Sequence, residues 1–366
     1  MTAIVTKINL TIGELIQSVI TPLALPIIEM NVVPDVLIRL GMRREMEAGL
    51  LKFTVLTVEE RQSRLSAFVR ELKTLPIAIN QSEANEQHYE VPDQFYQLVL
   101  GPCLKYSSGY WPTATTTFRE SEIAMLELYC ERAQLQDGMN IIDLGCGWGS
   151  VTLFLAKKYP NSKIVSISNS NSQRAFITGA AAQRGLTNVQ VFTGDINAFD
   201  LPKEEFYDWA DRVISIEMFE HMKNYYLLMQ KVSNWIKPGG KLFVHIFSYQ
   251  GGVPTHYEKG WMSDTFFTGG QLPSDNLLLH FQEHLQIEDH WIVSGTHYQR
   301  TCEAWLRNLD DKKAQVMPLL AQTYGEVRAL KWFVNWRLFF IACAEFFGMK
   351  SGQEYVVSHY LFTKKN

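Results

Sequence analysis

The feature that most constrains this chain is a glycine-rich stretch directly after a hydrophobic segment. Residues 141–150 read IIDLGCGWGS, with Asp143 closing the apolar run and glycines at Gly145, Gly147 and Gly149. Glycine adopts positive φ readily and lets a ligand approach the backbone closely. A loop of this kind after a strand is typical of nucleotide-like cofactor sites, including those of dinucleotide enzymes, so the loop alone leaves the cofactor open.

Strand and helix patterns alternate around this loop. Five strands are predicted at NIIDLG, KIVSISNS, VQVFTGD, DRVISIEMF and KLFVHIFS, and a helix at YYLLMQKVSNWIKPGG is expected to end at Gly239. Two more strands are predicted near 290–297 (HWIVSGTH) and at YVVSHYLFTKK. This alternation predicts an α/β fold with a doubly wound sheet whose ligand binds at the carboxyl ends of the strands.

Helical periodicity dominates the rest of the chain. VPDVLIRLGMRREMEAGLL and TVEERQSRLSAFVRELKTLP precede the core, and Thr57 with Glu60 resembles a capping box at the start of the second. A third helix is predicted at ESEIAMLELYCERAQL. Two more follow the fifth strand, at CEAWLRNLDDKKAQVMPLLAQTYG and VRALKWFVNWRLFFIACAEFFG.

Composition excludes several classes of function. The net charge is −4 without a basic run, so we expect no nucleic-acid partner. The five cysteines are scattered without CxxC spacing, which predicts neither a disulfide framework nor a metal site. The apolar segment 8–33 contains Pro22, Pro26 and acidic residues, so we expect packed helices, no membrane partner and a cytoplasmic location. The sequence leaves the choice between a monomer and a homodimer open.

The glycine loop and five other segments resemble a known family. The loop resembles the first motif of class I methyltransferases. HYEVPDQFY, KYSSGYW and SIEMFEHMKNYYLLMQKV resemble the cyclopropane-fatty-acid-synthase superfamily. Within it, ESEIAMLELYCERAQLQDG, FEHMKNY, HYEVP and VPDVLIRLGMRR resemble the coclaurine N-methyltransferase group of plant alkaloid N-methyltransferases.

The resemblance implies a Rossmann-like, seven-stranded class I methyltransferase core with additions. We expect a helical extension and active-site cover at 1–115 and the S-adenosylmethionine-binding core at 116–248. A lid and acceptor-binding insertion is expected at 249–352, including the strand near 290–297, and the final core strand at 353–366.

The implied cofactor is S-adenosyl-L-methionine, with S-adenosyl-L-homocysteine as product and no metal. Asp143 is expected to orient its methionine part, and Asn169 and Gln173 its ribose. Asp195 and Ile196 are expected at the adenine, although a helix N-cap is the alternative for Asp195. The full predicted set is Tyr106, Ser107, Asp143, Gly145, Gly147, Asn169, Gln173, Asp195 and Ile196.

Methylation of an amine requires a free lone pair, whereas an alkylamine with a pKa of roughly 10 is mostly protonated at neutral pH. Glu217, Glu220 and His221 lie at the carboxyl end of the fourth predicted strand, and Glu217 and His221 share a face if the chain is helical there. By resemblance, His221 is the general base and Glu220 the amine anchor or electrostatic partner. The alternative is a surface Glu–His ion pair.

The acceptor is expected to be a small aromatic amine or alkaloid, of phenylalkylamine or tetrahydroisoquinoline type. Candidate contacts are Glu90, Tyr89, Phe219, His245, Phe267, Trp332 and Trp336, with plain core packing as the alternative for the aromatic ones. Cys343 is expected to be structural.

Two other functions compete. A cyclopropane-synthase-like methylene transferase acting on lipid acyl chains would hold bicarbonate with a Glu, a His, a Tyr and the backbone around a Cys. Glu220 and His245 match that pattern, but Ser108 replaces the Cys, and the late-helix Tyr is replaced within WRLFFIACAEFF. The other competitor is an inactive binding scaffold, which the intact loop and the Glu–His pair argue against.

Overall fold

The computed structural model describes residues 21–79, 91–257 and 259–365. In chain order its helices are α1 Thr21–Ile28, α2 Asp35–Thr54, α3 Val58–Leu72, α4 Asp93–Val99, α5 Phe118–Arg132, α6 Ser150–Lys158, α7 Asn171–Gln183, α8 Lys203–Phe206, α9 Tyr225–Trp235, α10 Trp261–Thr265, α11 Gly295–Asp311, α12 Lys313–Tyr324 and α13 Glu326–Gly348. Short 3₁₀ turns lie at Phe219–His221, Leu277–His280 and Met349–Gly352.

The strands are β1 Asn140–Leu144, β2 Lys163–Ser168, β3 Val189–Thr193, β4 Ala210–Ile216, β5 Ile236–Tyr249, β6 Thr255–His256, β7 Gln271–Leu272, β8 Gln286–Val293 and β9 Tyr355–Thr363. Seven of them form one sheet in the order β3-β2-β1-β4-β5-β9-β8, and β6 and β7 form a separate pair. The neighbours from β3 to β5 are parallel, and β9 is antiparallel to both β5 and β8. The predicted seven-stranded, doubly wound α/β fold is confirmed.

The central strands are buried because helices cover both faces of the sheet. All nine residues of β9 except the last are buried, as are four of the five residues of β1. A strand buried on both faces has a nearly continuous apolar sequence, which explains the readable signal of IIDL and YVVSHYLF.

Two segments interrupt the sheet late in the chain. The β6–β7 pair and α10 lie between β5 and β8, and α11 to α13 lie between β8 and β9. The N-terminal helix α2 packs on α13, where Arg39 Nη1 contacts Glu345 Oε1 at 2.8 Å and Arg43 also pairs with Glu345. Among the described residues, no helix is long and apolar enough to cross a membrane.

The capping box at α3 is confirmed, because Thr57 accepts a hydrogen bond from the Glu60 backbone while Glu60 accepts one from Thr57 N–H. Three element boundaries differ from prediction. Helix α9 ends at Trp235 rather than Gly239, since Pro238 disfavours a helical conformation at the preceding Lys237. Strand β8 ends at Val293, because the Ser294 side chain caps α11 there. The helix predicted from Cys302 to Gly325 is two helices, α11 and α12.

Candidate active site

A cavity of about 1630 Å³ lies at the carboxyl ends of the parallel strands. Its floor is formed by the loops that follow β1, β2 and β4. Residues of α1, α2, α10 and α13 form the walls and roof. This is the edge at which doubly wound sheets bind their ligands.

The glycine loop lines one end of the cavity. Gly145, Gly147 and Gly149 have φ angles of 82°, 51° and 80°, in the left-handed region that favours glycine. A Cβ at Gly145 would lie 2.8 Å from Met218 Cγ, whereas the space beside Gly147 is open. The open space beside Gly147 therefore leaves room for a ligand against the loop backbone.

Asp143 lies beneath this loop and is almost completely buried. The Thr152 hydroxyl donates a hydrogen bond to Asp143 Oδ2 at 2.6 Å. Burial raises the pKa of Asp143 to about 6, against the opposing effect of the Thr152 hydrogen bonds. The carboxyl group therefore changes charge just below neutral pH.

Most of the predicted cofactor residues line the same end of the cavity. They are Tyr106, Ser107, Asp143, Gly145, Gly147, Asn169, Gln173 and Ile196. Gln173 is held by Ser168, whose hydroxyl donates to Gln173 Oε1 at 2.7 Å. Asp195 is exposed and does not line the cavity, and its Oδ1 instead accepts the Asn197 N–H at 2.8 Å. Asp195 therefore caps a local turn, and the helix N-cap expected as its alternative is also absent, because residues 196–198 form a turn and not a helix.

Glu217 lies directly after β4, in a left-handed conformation with a φ of 49°. Three groups donate hydrogen bonds to its carboxylate or lie in position to do so. Ser108 N–H and His245 Nε2 lie 3.2 and 2.9 Å from Oε1, and the Tyr298 hydroxyl lies 2.5 Å from Oε2. Burial raises the pKa of Glu217 to about 7, while the Lys105 charge and the bonds from Tyr298 and Ser108 oppose that rise.

Glu220 and His221 form the following 3₁₀ turn, which begins at Phe219. The expected single helical face for Glu217 and His221 is therefore absent, although both residues line the cavity together with Glu220. Glu220 is buried, and its Oε2 has no hydrogen-bond partner in the described parts of the chain. Burial and the Glu217 charge raise the pKa of Glu220 well above its usual value. The His221 ring packs on Phe267 with ring centroids 4.7 Å apart.

The predicted acceptor contacts that the structure describes divide into three groups. Phe267 and Trp332 line the cavity. Phe219 and Trp336 lie in the core, where Phe219 stacks on Tyr225 and Trp336 packs between Phe95 and Phe266, with ring centroids 5.8, 4.7 and 5.0 Å apart. His245 is completely buried behind Glu217 and does not line the cavity. Tyr89 and Glu90 lie outside the described residues.

Sequence reasoning missed several buried polar residues around Glu217. Lys105 donates from Nζ to Ser107 Oγ and to Ser108 O, the latter at 2.8 Å, and burial lowers its pKa to about 8. Tyr298, Tyr129, His359 and Arg132 also belong to this network. They come from α5, α11 and β9, and no spacing along the chain connects them to the Glu–His motif. Within the described residues, no group of three or more His, Cys, Asp or Glu side chains is arranged to hold a metal ion.

Known proteins match this chain over almost its whole length. Residues 78–356 match the family model described as mycolic acid cyclopropane synthetase. The chain is 39% identical to (S)-coclaurine N-methyltransferase of Thalictrum flavum subsp. glaucum, across 92% of this chain and 94% of that protein. It is 38% identical to pavine N-methyltransferase of the same plant, across 84% and 87% of the two chains.

A solved structure agrees with these matches. The crystal structure of a coclaurine N-methyltransferase bound to N-methylheliamine and S-adenosylhomocysteine superimposes with a TM-score of 0.88 at 37% identity. The match covers 93% of this chain and 98% of the crystallised one.

Proposed function

This chain belongs to the mycolic acid cyclopropane synthetase family as an S-adenosylmethionine-dependent N-methyltransferase, and we propose that it methylates a small aromatic amine or alkaloid. The proposed acceptor is of phenylalkylamine or tetrahydroisoquinoline type. We further propose that Glu217, Glu220 and His221 bind and deprotonate the amine. The observation that carries this proposal is the buried, unpartnered Glu220 Oε2 in the cavity wall.

The cavity suits the cofactor at its glycine-loop end. The open space at Gly147 admits a ligand against the backbone, and Asp143, Asn169 and Gln173 supply polar side chains around it. Tyr106 and Ser107 are assigned to the cofactor carboxylate, and Ile196 to the adenine. When bound, S-adenosylmethionine supplies an electrophilic methyl group on a sulfonium sulfur.

An unpartnered buried carboxylate oxygen favours a cationic ligand. Leaving such a group unpaired is unfavourable by about 1–3 kcal/mol or more, and an ammonium N–H relieves that penalty. Glu217 already accepts up to three hydrogen bonds from the protein, so its carboxylate is fixed, whereas Glu220 retains a free acceptor. Glu220 therefore anchors the ammonium, whose positive charge opposes the raised pKa of Glu220 and favours its ionised form, and Glu217 accepts the surrounding hydrogen bonds beside it.

His221 is the group assigned to proton removal. It lies in the same cavity wall as Glu220, and its ring is held against Phe267. The imidazole takes the ammonium proton. The freed nitrogen lone pair then forms a bond to the methyl carbon while the carbon–sulfur bond breaks, leaving S-adenosylhomocysteine. The aromatic wall, which includes Tyr257, Trp261, Phe267 and Trp332, excludes water from this reaction.

The alternative function is cyclopropane-synthase-like transfer to lipid acyl chains. That chemistry needs a bound bicarbonate at the position of Ser108 N–H, His245 and a tyrosine hydroxyl. The sequence motif WRLFFIACAEFF in α13 has no tyrosine, but Tyr298 of α11 brings a hydroxyl to the same place. Here, however, all three groups point at the Glu217 carboxylate. The side chain of Glu217 thus occupies the place of the anion, which favours the amine reaction.

The direct test combines methyl-labelled S-adenosylmethionine with a panel of phenylalkylamines and tetrahydroisoquinolines, and separately with phospholipid vesicles containing unsaturated acyl chains. We expect amine products heavier by one methyl group in the mass spectrum and no label in the lipid. Label that enters the acyl chains and no amine would replace this proposal with the alternative.

A further inference from the structure

A continuous hydrogen-bonded chain joins Glu217 to Arg132, the last residue of helix α5. His245 Nε2 lies 2.9 Å from Glu217 Oε1, and His359 Nε2 lies 2.9 Å from His245 Nδ1. Arg132 Nη1 lies 2.7 Å from His359 Nδ1. Both histidines are completely buried, so water does not compete for these bonds.

The sheet register aligns this chain. His245 and His359 are directly opposite partners on the antiparallel strands β5 and β9, so their side chains lie on the same face of the sheet. Helix α5 packs on that face and contributes Arg132 at its last residue. It also contributes Tyr129, whose hydroxyl lies 2.9 Å from His245 Nδ1.

The guanidinium sets the direction of the bonds that run from Arg132 through His359 and His245 to Glu217. A guanidinium only donates, so His359 Nδ1 is an acceptor. A neutral imidazole carries one proton, so His359 Nε2 is the donor and His245 Nδ1 accepts from it. His245 Nε2 must then carry the proton and donate to Glu217. Burial and the charges of Lys105 and Arg132 lower the pKa of His245, which keeps the ring neutral.

We propose that Arg132 is a positioning residue that fixes the tautomers of His359 and His245, so that His245 presents an N–H to Glu217 and holds its carboxylate ionised beside the amine. Without the guanidinium, His359 is free to reverse, and His245 Nε2 then becomes an acceptor facing a carboxylate oxygen. Two acceptors in contact repel each other or force Glu217 to hold a proton. The role in turnover rests on the function proposed for Glu217, whereas the tautomer assignment does not.

The test compares Arg132→Leu, Arg132→Lys and a matched control, Arg300→Leu. Arg132 and Arg300 both stack on a tryptophan ring, at 5.1 and 4.4 Å from the centroids of Trp291 and Trp111, but Arg300 donates to the backbone carbonyls of Thr113 and Ala114 instead of a histidine. Histidine-selective ¹⁵N labelling with proton–nitrogen correlation spectra reports which ring nitrogen carries the proton.

In the parent and in Arg300→Leu we expect both buried histidines to be protonated at Nε2. In Arg132→Leu we expect Nδ1-protonated signal for His245 and a kcat about 10- to 100-fold lower, the range typical when a group that orients a functional side chain is lost, with unchanged S-adenosylhomocysteine affinity. Arg132→Lys retains a donor and should keep the parent tautomers and most of the rate.

The outcomes separate the two proposals. Parent-like tautomers in Arg132→Leu, with the protein folded by circular dichroism, would overturn the positioning role. If Arg132→Leu does not fold, the parent and Arg132→Lys still test the proposal. A His245 that is protonated at Nδ1 in the spectra of either protein would also overturn the positioning role. If His245 changes tautomer in Arg132→Leu while kcat stays the same, the tautomer assignment is supported, but Glu217 has no part in the proposed reaction.

Discussion

Glu217, directly after strand β4, and His245, on the adjacent parallel strand β5, are joined by a hydrogen bond of 2.9 Å between Oε1 and Nε2. Glu217 makes this bond from an unusual backbone conformation, because its φ of 49° is rare for a residue with a side chain. The strain and the buried partner together fix one carboxylate at the cavity floor, next to the free carboxylate oxygen of Glu220.

Replacing Glu217 with glycine should convert the enzyme into one that needs an added anion. Glycine suits the backbone conformation, and Ser108 N–H, His245 and Tyr298 lose their shared acceptor. We expect kcat to fall by roughly 10- to 100-fold, corresponding to about 1.5–3 kcal/mol for a charged hydrogen-bonding group. Formate or bicarbonate should restore part of the lost kcat.

The rate of the parent enzyme should not depend on bicarbonate. A parent rate that collapses in carbonate-free buffer would support the cyclopropane-synthase-like alternative.

Glu220→Gln should discriminate against charged acceptors. The amide keeps the shape of the side chain but loses the charge that attracts an ammonium. We expect KM to rise by about tenfold or more for an amine that is protonated at the assay pH, and much less for a weakly basic amine that is neutral there. Steady-state kinetics with the two acceptors measures the difference. An equal change for both acceptors would remove Glu220 as the cation anchor.

Gly147→Val should abolish most cofactor binding. Gly147 has a φ of 51°, and a side chain there enters open cavity space rather than touching protein. Gly138→Val is the matched control, because Gly138 also has positive φ and open surroundings but lies at an exposed turn outside the cavity. Calorimetry with S-adenosylhomocysteine should show loss of affinity only for Gly147→Val. Wild-type affinity in that variant would contradict the placement of the cofactor.

Asp143→Asn should flatten the pH dependence of cofactor affinity. The pKa of Asp143 is about 6, so the carboxyl group is ionised at pH 8 and mostly neutral at pH 5. If Asp143 lies beside the cofactor ammonium as proposed, their attraction is present above pH 6 and lost below it. Titrations of the parent should show affinity falling from pH 8 to pH 5 more steeply than in Asp143→Asn. Parallel plots of affinity against pH for the two proteins would mean that the Asp143 carboxyl group does not interact with the cofactor.

The sheet and the glycine-loop end of the cavity were predictable from local signals. IIDLGCGWGS specifies a buried strand followed by a loop with three positive-φ glycines, and both are properties of adjacent residues. The position of the ligand then follows from parallel-strand geometry. The helix predicted to end at Gly239 ends at Trp235 instead. Pro238 disfavours a helical conformation at Lys237, and apolar periodicity alone does not show that effect.

The polar network was not predictable in the same way. His359 meets His245 through strand register, and Arg132 and Tyr298 reach the network from helices far away in the sequence. His245 was predicted as an acceptor contact because a lone histidine at a strand end does not reveal whether its ring faces the cavity or the sheet interior. The prediction that Phe219 and Trp336 contact the acceptor is wrong for a related reason. Both lie in the core, and aromatic residues of the core have the same sequence spacing as those of a cavity wall.

The central claim, an imidazole that removes the amine proton, is tested most directly by His221→Ala, with His280→Ala as the control at an exposed position outside the cavity. Positioned general-base catalysis is typically worth roughly 10²–10⁴-fold, so kcat should fall by that factor while cofactor affinity is retained. The rate of His221→Ala should also rise with pH toward the pKa of the amine more steeply than the rate of the parent, because the variant depends on amine that is already deprotonated. A His221→Ala enzyme with the parent kcat and pH profile would contradict the account and leave positioning alone as the source of catalysis.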